Sequence, residues 1–418
     1  MRIAFFTRCL PEHGLGGMEI HAAQVARGLV AHGHEVVVYT TRLPHGTAGG
    51  PPTAARSGVS NTEVDPTTPP HPPAPHTPVV RYLPDTRPRS YLGGYWPASR
   101  KAFLADHRSV PFDVAYSESA GGFGLLGMKE APVPTVVFLV GTAGMELRSK
   151  LRRTPTLRSL LGAAWNVVNL IQSRRLLPRA ARILCESDGL RTWALREMPL
   201  DPGRVSVGRL GVDTQRFTPE GPTLPALSSL TGTRILMGGR LEAEKGFDIA
   251  LEALTRLAAR RDDFSVALVG SGSQETALRT QAQSLAQKGR FAFSPPIPHD
   301  RLAEMYRAAR IYLMPTRRHE GSALSIVEAM ACGCVVVASR IGGLATLFEE
   351  GEDGLLAAPD DAAAWEHQIE ALLDDPAACT RIARAARETA RTRYDLVFAL
   401  DRIEDCLRAA AAIRGASS

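Results

Sequence analysis

The sequence predicts an α/β protein of two Rossmann-like domains facing each other across a cleft. Three observations carry this expectation. Strand and helix patterns alternate twice along the chain, glycine-rich turns follow several of the buried strands, and 418 residues exceed what one compact core of ordinary size organises. Such alternation implies parallel sheets wrapped by helices. Open sheets of this kind bind ligands at the carboxyl ends of their strands.

The first element is an apolar strand, Ile3–Thr7, followed by a turn with Gly14, Gly16 and Gly17. A helix is expected over Glu19–His32, because Ile20, Ala23, Val25, Ala26, Leu29 and Val30 keep near-helical spacing. Gly33-His34 ends it, and Glu35–Thr41 holds the continuous run Val36-Val37-Val38 of a buried parallel strand. Residues 44–78 concentrate proline with Gly, Ser and Thr and hold few large apolar residues. They bury too little surface to order themselves, so a flexible surface insertion is expected. Further strands are expected at Asp113–Ser117, Thr135–Val140 and Ala181–Glu186, and the run Val205–Pro219 carries turn chemistry that separates the halves.

The second alternation has strands at Arg234–Gly238, Ser265–Val269, Ile311–Met314 and Val335–Ala338, with helices at Phe247–Ala259, Arg301–Ala309 and Ala323–Ala331. The domain division is therefore 1–208, 209–396 and a terminal helical stretch, 397–418. That last stretch either closes the second domain or crosses back to the first.

Composition excludes several classes. Hydrophobic residues at 44% and charged residues at 22% describe a globular chain rather than a disordered one. No run approaches the ~18 apolar residues of a membrane span. The amino-terminal segment reads as a buried strand and not as a signal peptide, which points to the cytoplasm. Six cysteines, at positions 9, 185, 332, 334, 379 and 406, are expected as free thiols, since Cys332-Gly-Cys334 is too tight for the usual metal or redox pairs. The net charge of +6 suits a phosphate-bearing ligand or an anionic surface. Nucleic acid is not an expected partner.

Three glycine-bearing segments carry the chemistry. The strongest runs from His319-Glu320-Gly321-Ser322-Ala323-Leu324 through Glu328 to Gly333, after the strand Ile311–Met314. It is expected to open a helix at about Ser322, whose free N–H groups and positive dipole end form an anion site. Two carboxylates eight positions apart on a helix lie roughly 12 Å from each other. That span suits a ligand with hydroxyls at both ends and phosphates between. The plain alternative is a pair of solvated helix glutamates.

The second segment is Gly238-Gly239-Arg240 with Lys245-Gly246, after the strand Arg234–Gly238. Arg offers a planar fork and Lys a mobile point charge, so together they clamp a diphosphate and stabilise one that departs. A solvated surface pair is the alternative. No Asp-x-Asp sits at a strand end, so no metal site is expected and the two cations stand in its place. The third segment, Gly14-Leu15-Gly16-Gly17-Met18-Glu19, lets the backbone approach a ligand. As a dinucleotide fingerprint it is incomplete, which disfavours a dehydrogenase.

Together these segments resemble the retaining GT-B glycosyltransferases of family 4. That family has two Glu separated by seven residues in the form E-G-x-x-x-x-x-x-E-A-M-A-x-G, matched throughout residues 320–333. It also has G-R-L/V-x-x-x-K-G, which Gly239-Arg240-Leu241 through Lys245-Gly246 match. Gly211-Val212-Asp213 with Phe217 and Pro219 resembles the family's interdomain segment.

The resemblance implies that Glu328 binds the nucleotide ribose and that Glu320 lies against the donor sugar. Backbone amides at Gly321, Ser322, Ala323 and Leu324 would contact sugar and phosphate, and Arg240 and Lys245 the diphosphate. Gly16, Gly17 and Gly239 would face the donor, and Thr142 and Glu146 the acceptor side. It further implies transfer from a nucleoside-diphosphate sugar to a hydroxyl or amine with retention, and no cofactor. The rivals are a sugar-nucleotide epimerase on the same fold and a non-catalytic nucleotide-sugar binder.

Three positions depart from the family pattern. Val140 stands where the family usually has His, Thr346 where Glu is common, and Leu210 where Asn is frequent. The first implies a donor sugar without a polar group there, or another residue supplying the contact. The arginine-rich stretch 148–182 has Leu157, Leu160, Leu161, Ala164, Val168 and Ile171 on one helical stripe. It is read as core with a solvated basic face. The alternative is a peripheral patch for the inner membrane surface or an acidic carrier.

Overall fold

The computed structural model describes residues 1–14, 16–44, 77–151 and 157–415. The insertion expected at 44–78 thus falls, apart from its ends, outside the described residues.

The first sheet has seven parallel strands: β1 (Arg2–Phe6), β2 (Glu35–Thr41), β3 (Val79–Leu83), β4 (Val114–Glu118), β5 (Thr135–Leu139), β6 (Arg182–Cys185) and β7 (Val205–Val207), in the order β3-β2-β1-β4-β5-β6-β7. The second has six: β8 (Thr233–Arg240), β9 (Phe264–Ser271), β10 (Phe291–Ser294), β11 (Ile311–Met314), β12 (Val335–Ser339) and β13 (Leu355–Ala357), in the order β10-β9-β8-β11-β12-β13. Each sheet begins at its centre, winds outward, then returns past its first strand. The loops after β1 and β4 diverge, as do those after β8 and β11, and a crevice opens at each switch point.

Helices on both faces explain why consecutive strand residues are apolar: Ile3, Phe5 and Phe6 in β1 and Val335, Val336 and Val337 in β12 are wholly buried. One apolar cluster runs from Ile3, Phe5 and Tyr116 of the first sheet to Leu236, Met314 and Val327 of the second unit.

Several elements differ from the sequence expectation. Val205–Val207, read as turn chemistry, is the seventh strand of the first sheet, and β3 and the helix Tyr95–Ser109 were not anticipated. At three residues, β7 and β13 are too short to display a period. The helix Tyr95–Ser109 buries only Tyr95, Ser99 and Phe103, so its apolar stripe is thin.

The chain passes between the sheets near Val212 and again near Asp395, where these two residues form a β-bridge. The final helix, Leu396–Gly415, then packs against the helix Gly17–Ala31 and strands β4, β5 and β6 of the first sheet. Gly28 makes room for it, since a Cβ there would lie 2.4 Å from Leu400 Cδ1. Further along, Glu404 Oε2 lies 2.6 Å from His32 Nδ1 and Glu404 Oε1 lies 3.1 Å from His34 Nε2. Burial would raise the Glu404 carboxyl, but hydrogen bonds from His32, Arg408 and His34 outweigh it and depress it to about 2.

A depressed folded pKa stabilises above the unfolded value and ceases to do so as pH falls through the folded one. Glu404→Gln is therefore expected to be less stable than wild type at pH 6. The gap between their urea midpoints should close as pH drops from about 4.5 to about 2. A gap that is constant across this window would remove Glu404 as the acid-sensitive clamp.

Candidate active site

A cleft of about 1010 Å³ lies between the carboxyl ends of the two sheets. Every residue expected from the sequence to contact donor or acceptor lines it: Glu320, Arg240 and Lys245, Gly16, Gly17 and Gly239, the run Gly321 to Leu324, Glu328, and Thr142 with Glu146. They arrive from the ends of β1, β5, β8 and β11, so sheet topology alone converges segments more than 300 residues apart.

Lys245 Nζ donates to Glu320 Oε1 at 2.7 Å, and each side chain is 15% exposed. Thr316 Oγ1 donates to the same oxygen at 3.3 Å. Burial pushes the Glu320 carboxyl up, yet the charge and hydrogen bond of Lys245, with Arg318 and Thr316, hold it below the ordinary carboxylate value. An ionised carboxylate and an ammonium therefore share the floor of the cleft. Arg240 differs: it is 60% exposed and its Nη2 donates to Glu244 Oε1 at 3.1 Å, leaving its guanidinium at the cleft mouth.

The helix after β11 runs Leu324–Ala331, with Ala323 as an extended N-cap lacking a side-chain cap bond. It begins two residues later than expected, because Gly321, Ser322 and Ala323 continue as a loop along the cleft. Glu328 is therefore one turn inside the helix. It is 3% exposed and is held by Tyr306, whose hydroxyl donates to Oε2 at 2.9 Å, with His299 Nε2 3.2 Å from Oε1. The sequence carried no signal for His299 or Tyr306, which come from the segment before β11 and meet Glu328 only through the fold.

From the other side, Gly17 opens the helix Gly17–Ala31 with no side-chain cap at Gly16. A Cβ on Gly17 would sit 3.9 Å from Leu324 Cβ, so the two loops face each other directly. Thr142 Oγ1 accepts from Met145 N at 3.2 Å and starts the helix Ala143–Leu151. Glu146 Oε2 accepts from Arg318 Nη2 across the cleft at 2.7 Å. Of the departures, Thr346 Oγ1 accepts from Gly189 N at 3.1 Å and joins the two units, while Val140 and Leu210 both line the cleft.

Two residues of the arginine-rich stripe depart from its reading as core. Val168 and Ile171 are 44% and 61% exposed, on the helix Leu157–Leu176 that packs chiefly on the helix Ala143–Leu151. The described end of this helix thus leaves part of its stripe to solvent. The side chains of Leu157, Leu160, Leu161 and Ala164 lie outside those described. Among the described residues no helix is long and apolar enough to cross a membrane.

Comparison with known proteins assigns both halves. A family model described as glycosyltransferase family 4 matches residues 15–216, and one described as glycosyl transferases group 1 matches residues 227–389. The chain is 29% identical to a D-inositol 3-phosphate glycosyltransferase of Acidothermus cellulolyticus, over 91% of this chain and 83% of that protein. It is 35% identical to a D-inositol 3-phosphate glycosyltransferase 2 of Catenulispora acidiphila, over 50% of this chain and 51% of that one. In fold it is similar to a sucrose-phosphate synthase from Thermosynechococcus elongatus (TM-score 0.74, 22% identity, 99% of each chain). It is likewise similar to Anabaena HepE in complex with UDP and glucose (TM-score 0.70, 20% identity, 98% of this chain and 99% of that one). With a matching model on each sheet and the cleft between them, the chain belongs to the group 1 glycosyltransferases and has their two-domain GT-B fold.

Proposed function

We propose that this glycosyltransferase moves a sugar from a nucleoside-diphosphate donor to a hydroxyl or amine acceptor, with retention and without a metal. The observation that carries the reading is the meeting of Arg240, Lys245, Glu320 and Glu328 in one cleft, from the ends of β8 and β11. Lys245 and Arg240 bring positive charge to the place where a diphosphate would depart. That charge offsets the negative charge growing on its oxygens. Glu328, fixed by Tyr306 and His299, is oriented to accept from ribose hydroxyls. Glu320, ionised beside Lys245, faces a sugar whose anomeric carbon becomes positive as its bond to phosphate breaks.

In the retaining route the acceptor oxygen bonds to the anomeric carbon on the face the phosphate leaves. The departing phosphate oxygen takes the acceptor proton, so no protein nucleophile is needed. The names of the curated relatives support an inositol phosphate or a similar phosphorylated polyol as an acceptor to test first. Such a molecule would enter beside Thr142 and Glu146.

Thermal stabilisation by a panel of UDP- and GDP-sugars tests the donor assignment, because a ligand that binds only the folded state raises Tm by mass action. One donor is expected to raise Tm clearly. Glu328→Ala should weaken it about 10- to 100-fold, the cost of a lost hydrogen bond to a charged group. If no nucleotide sugar stabilises the protein and none is consumed with any polyol phosphate, the reading fails.

A further inference from the structure

We propose that Glu186 is a donor-sugar contact residue, which with Ser322 hydrogen-bonds a hydroxyl of the transferred sugar on the first-domain wall of the cleft. This rests on the nucleotide-sugar reading above and adds a residue that reading does not use.

The position follows from strand register. Leu139 of β5 pairs with Cys185 of β6, so the next residues, Val140 and Glu186, stand side by side where both strands end at the cleft. The Glu186 N–H donates to Leu139 O at 3.1 Å, which fixes the backbone there. Across the cleft lies Gly321: a Cβ on it would be 2.2 Å from Glu186 Oε1 and 2.7 Å from Val140 O. The Ser187 hydroxyl donates to Gly321 O at 2.5 Å, holding the two walls together. The Glu186 carboxyl is therefore built against the segment carrying Glu320 and the loop amides.

Two polar atoms at this point have no partner. Glu186 is 1% exposed and Ser322 7%, yet neither Glu186 Oε2 nor Ser322 Oγ has a hydrogen-bond partner among the described residues. Leaving buried polar atoms unmade is costly, and orphans in a cleft wall indicate a polar ligand atom. Val140 offers only an apolar side chain beside them.

The local charge selects the ligand group. Burial, with the carboxylates of Glu320 and Glu118, pushes the Glu186 carboxyl well above its ordinary value, while the Ser322 amide pulls the other way. A neutral acid both donates and accepts. A phosphate would be repelled by Glu320, whereas a sugar hydroxyl, which also donates and accepts, satisfies the acid and the serine together.

The test uses the full chain and compares wild type, Glu186→Gln and Glu186→Ala. Affinities are measured for UDP, GDP, UDP-glucose, UDP-N-acetylglucosamine and GDP-mannose. For the sugar donor that wild type prefers, Glu186→Ala is expected to weaken binding about 10-fold or more, as when a site built to hydrogen-bond a hydroxyl loses its partner. The matching bare diphosphate should bind within about twofold of wild type, and Glu186→Gln should keep the donor within about threefold, because its neutral amide still donates and accepts. Unchanged donor binding in Glu186→Ala would overturn the proposal. Equal loss of donor and bare diphosphate would also overturn it, by assigning Glu186 to the fold. Wild type that binds no nucleotide sugar would remove the parent reading and this contact together, a result read on a different protein from the other two.

Discussion

Replacing Lys245 with alanine is expected to lower kcat by about 10²- to 10³-fold, the usual effect of deleting one preorganised group that meets developing negative charge. Lys245 serves two ends at once. Its ammonium is the most enclosed cation at the proposed diphosphate site, and it donates to Glu320 Oε1 at 2.7 Å. Without it, burial is opposed only by Arg318 and Thr316, so the Glu320 carboxyl rises.

The sign of the pH effect follows. In wild type the lowered value keeps Glu320 ionised below the ordinary glutamate range, and the acid limb of kcat/KM lies correspondingly low. In Lys245→Ala the carboxylate is lost at higher pH, so the acid limb moves toward neutrality. Lys245→Arg restores a charge and should return the limb most of the way. Arg240→Ala is the internal contrast. Arg240 is 60% exposed and pairs with Glu244, so its loss should weaken donor affinity without displacing the limb. A Lys245→Ala profile that is merely scaled down, with its limb unmoved, would separate the ammonium from Glu320.

Much of this site was legible in the sequence because its parts are local. Glu320 to Glu328 is one strand–loop–helix unit, and Arg240 to Gly246 is another; sheet topology then brings both to the same cleft. What was not legible depends on register and on pairing across the chain. Glu186 gains its position from Leu139 pairing with Cys185, and no local pattern distinguishes it from the end of any apolar strand. His299 and Tyr306 are unremarkable in sequence and reach Glu328 only after β11 is inserted beside β8. The helix starts at Leu324, later than Ser322, because Gly321, Ser322 and Ala323 continue as a loop along the cleft.

Gly246→Ala is the second large effect, and it acts through the backbone. Gly246 has φ +66°, and a Cβ there would sit 1.9 Å from the carbonyl oxygen of Pro315. The left-handed conformation alone costs a non-glycine residue roughly 1–2 kcal/mol. Pushing aside a packed backbone costs about 1–3 kcal/mol more. A total of about 3 kcal/mol corresponds to a Tm lower by roughly 10 °C. The chain around this glycine also carries the site: Lys245 precedes it and Thr316 follows Pro315, so displacing either backbone pulls both donors away from Glu320. The loss of kcat/KM should therefore exceed about 10-fold at temperatures where the variant is still folded, since small misplacements of reacting groups are expensive. Gly351→Ala provides the comparison, because Gly351 has φ +84° with nothing within 4 Å of its would-be Cβ. It bears the conformational strain without the collision and should lose only that roughly 1–2 kcal/mol and no activity. If the two alanine variants melt at the same temperature, the close approach of Pro315 is not what demands glycine after Lys245.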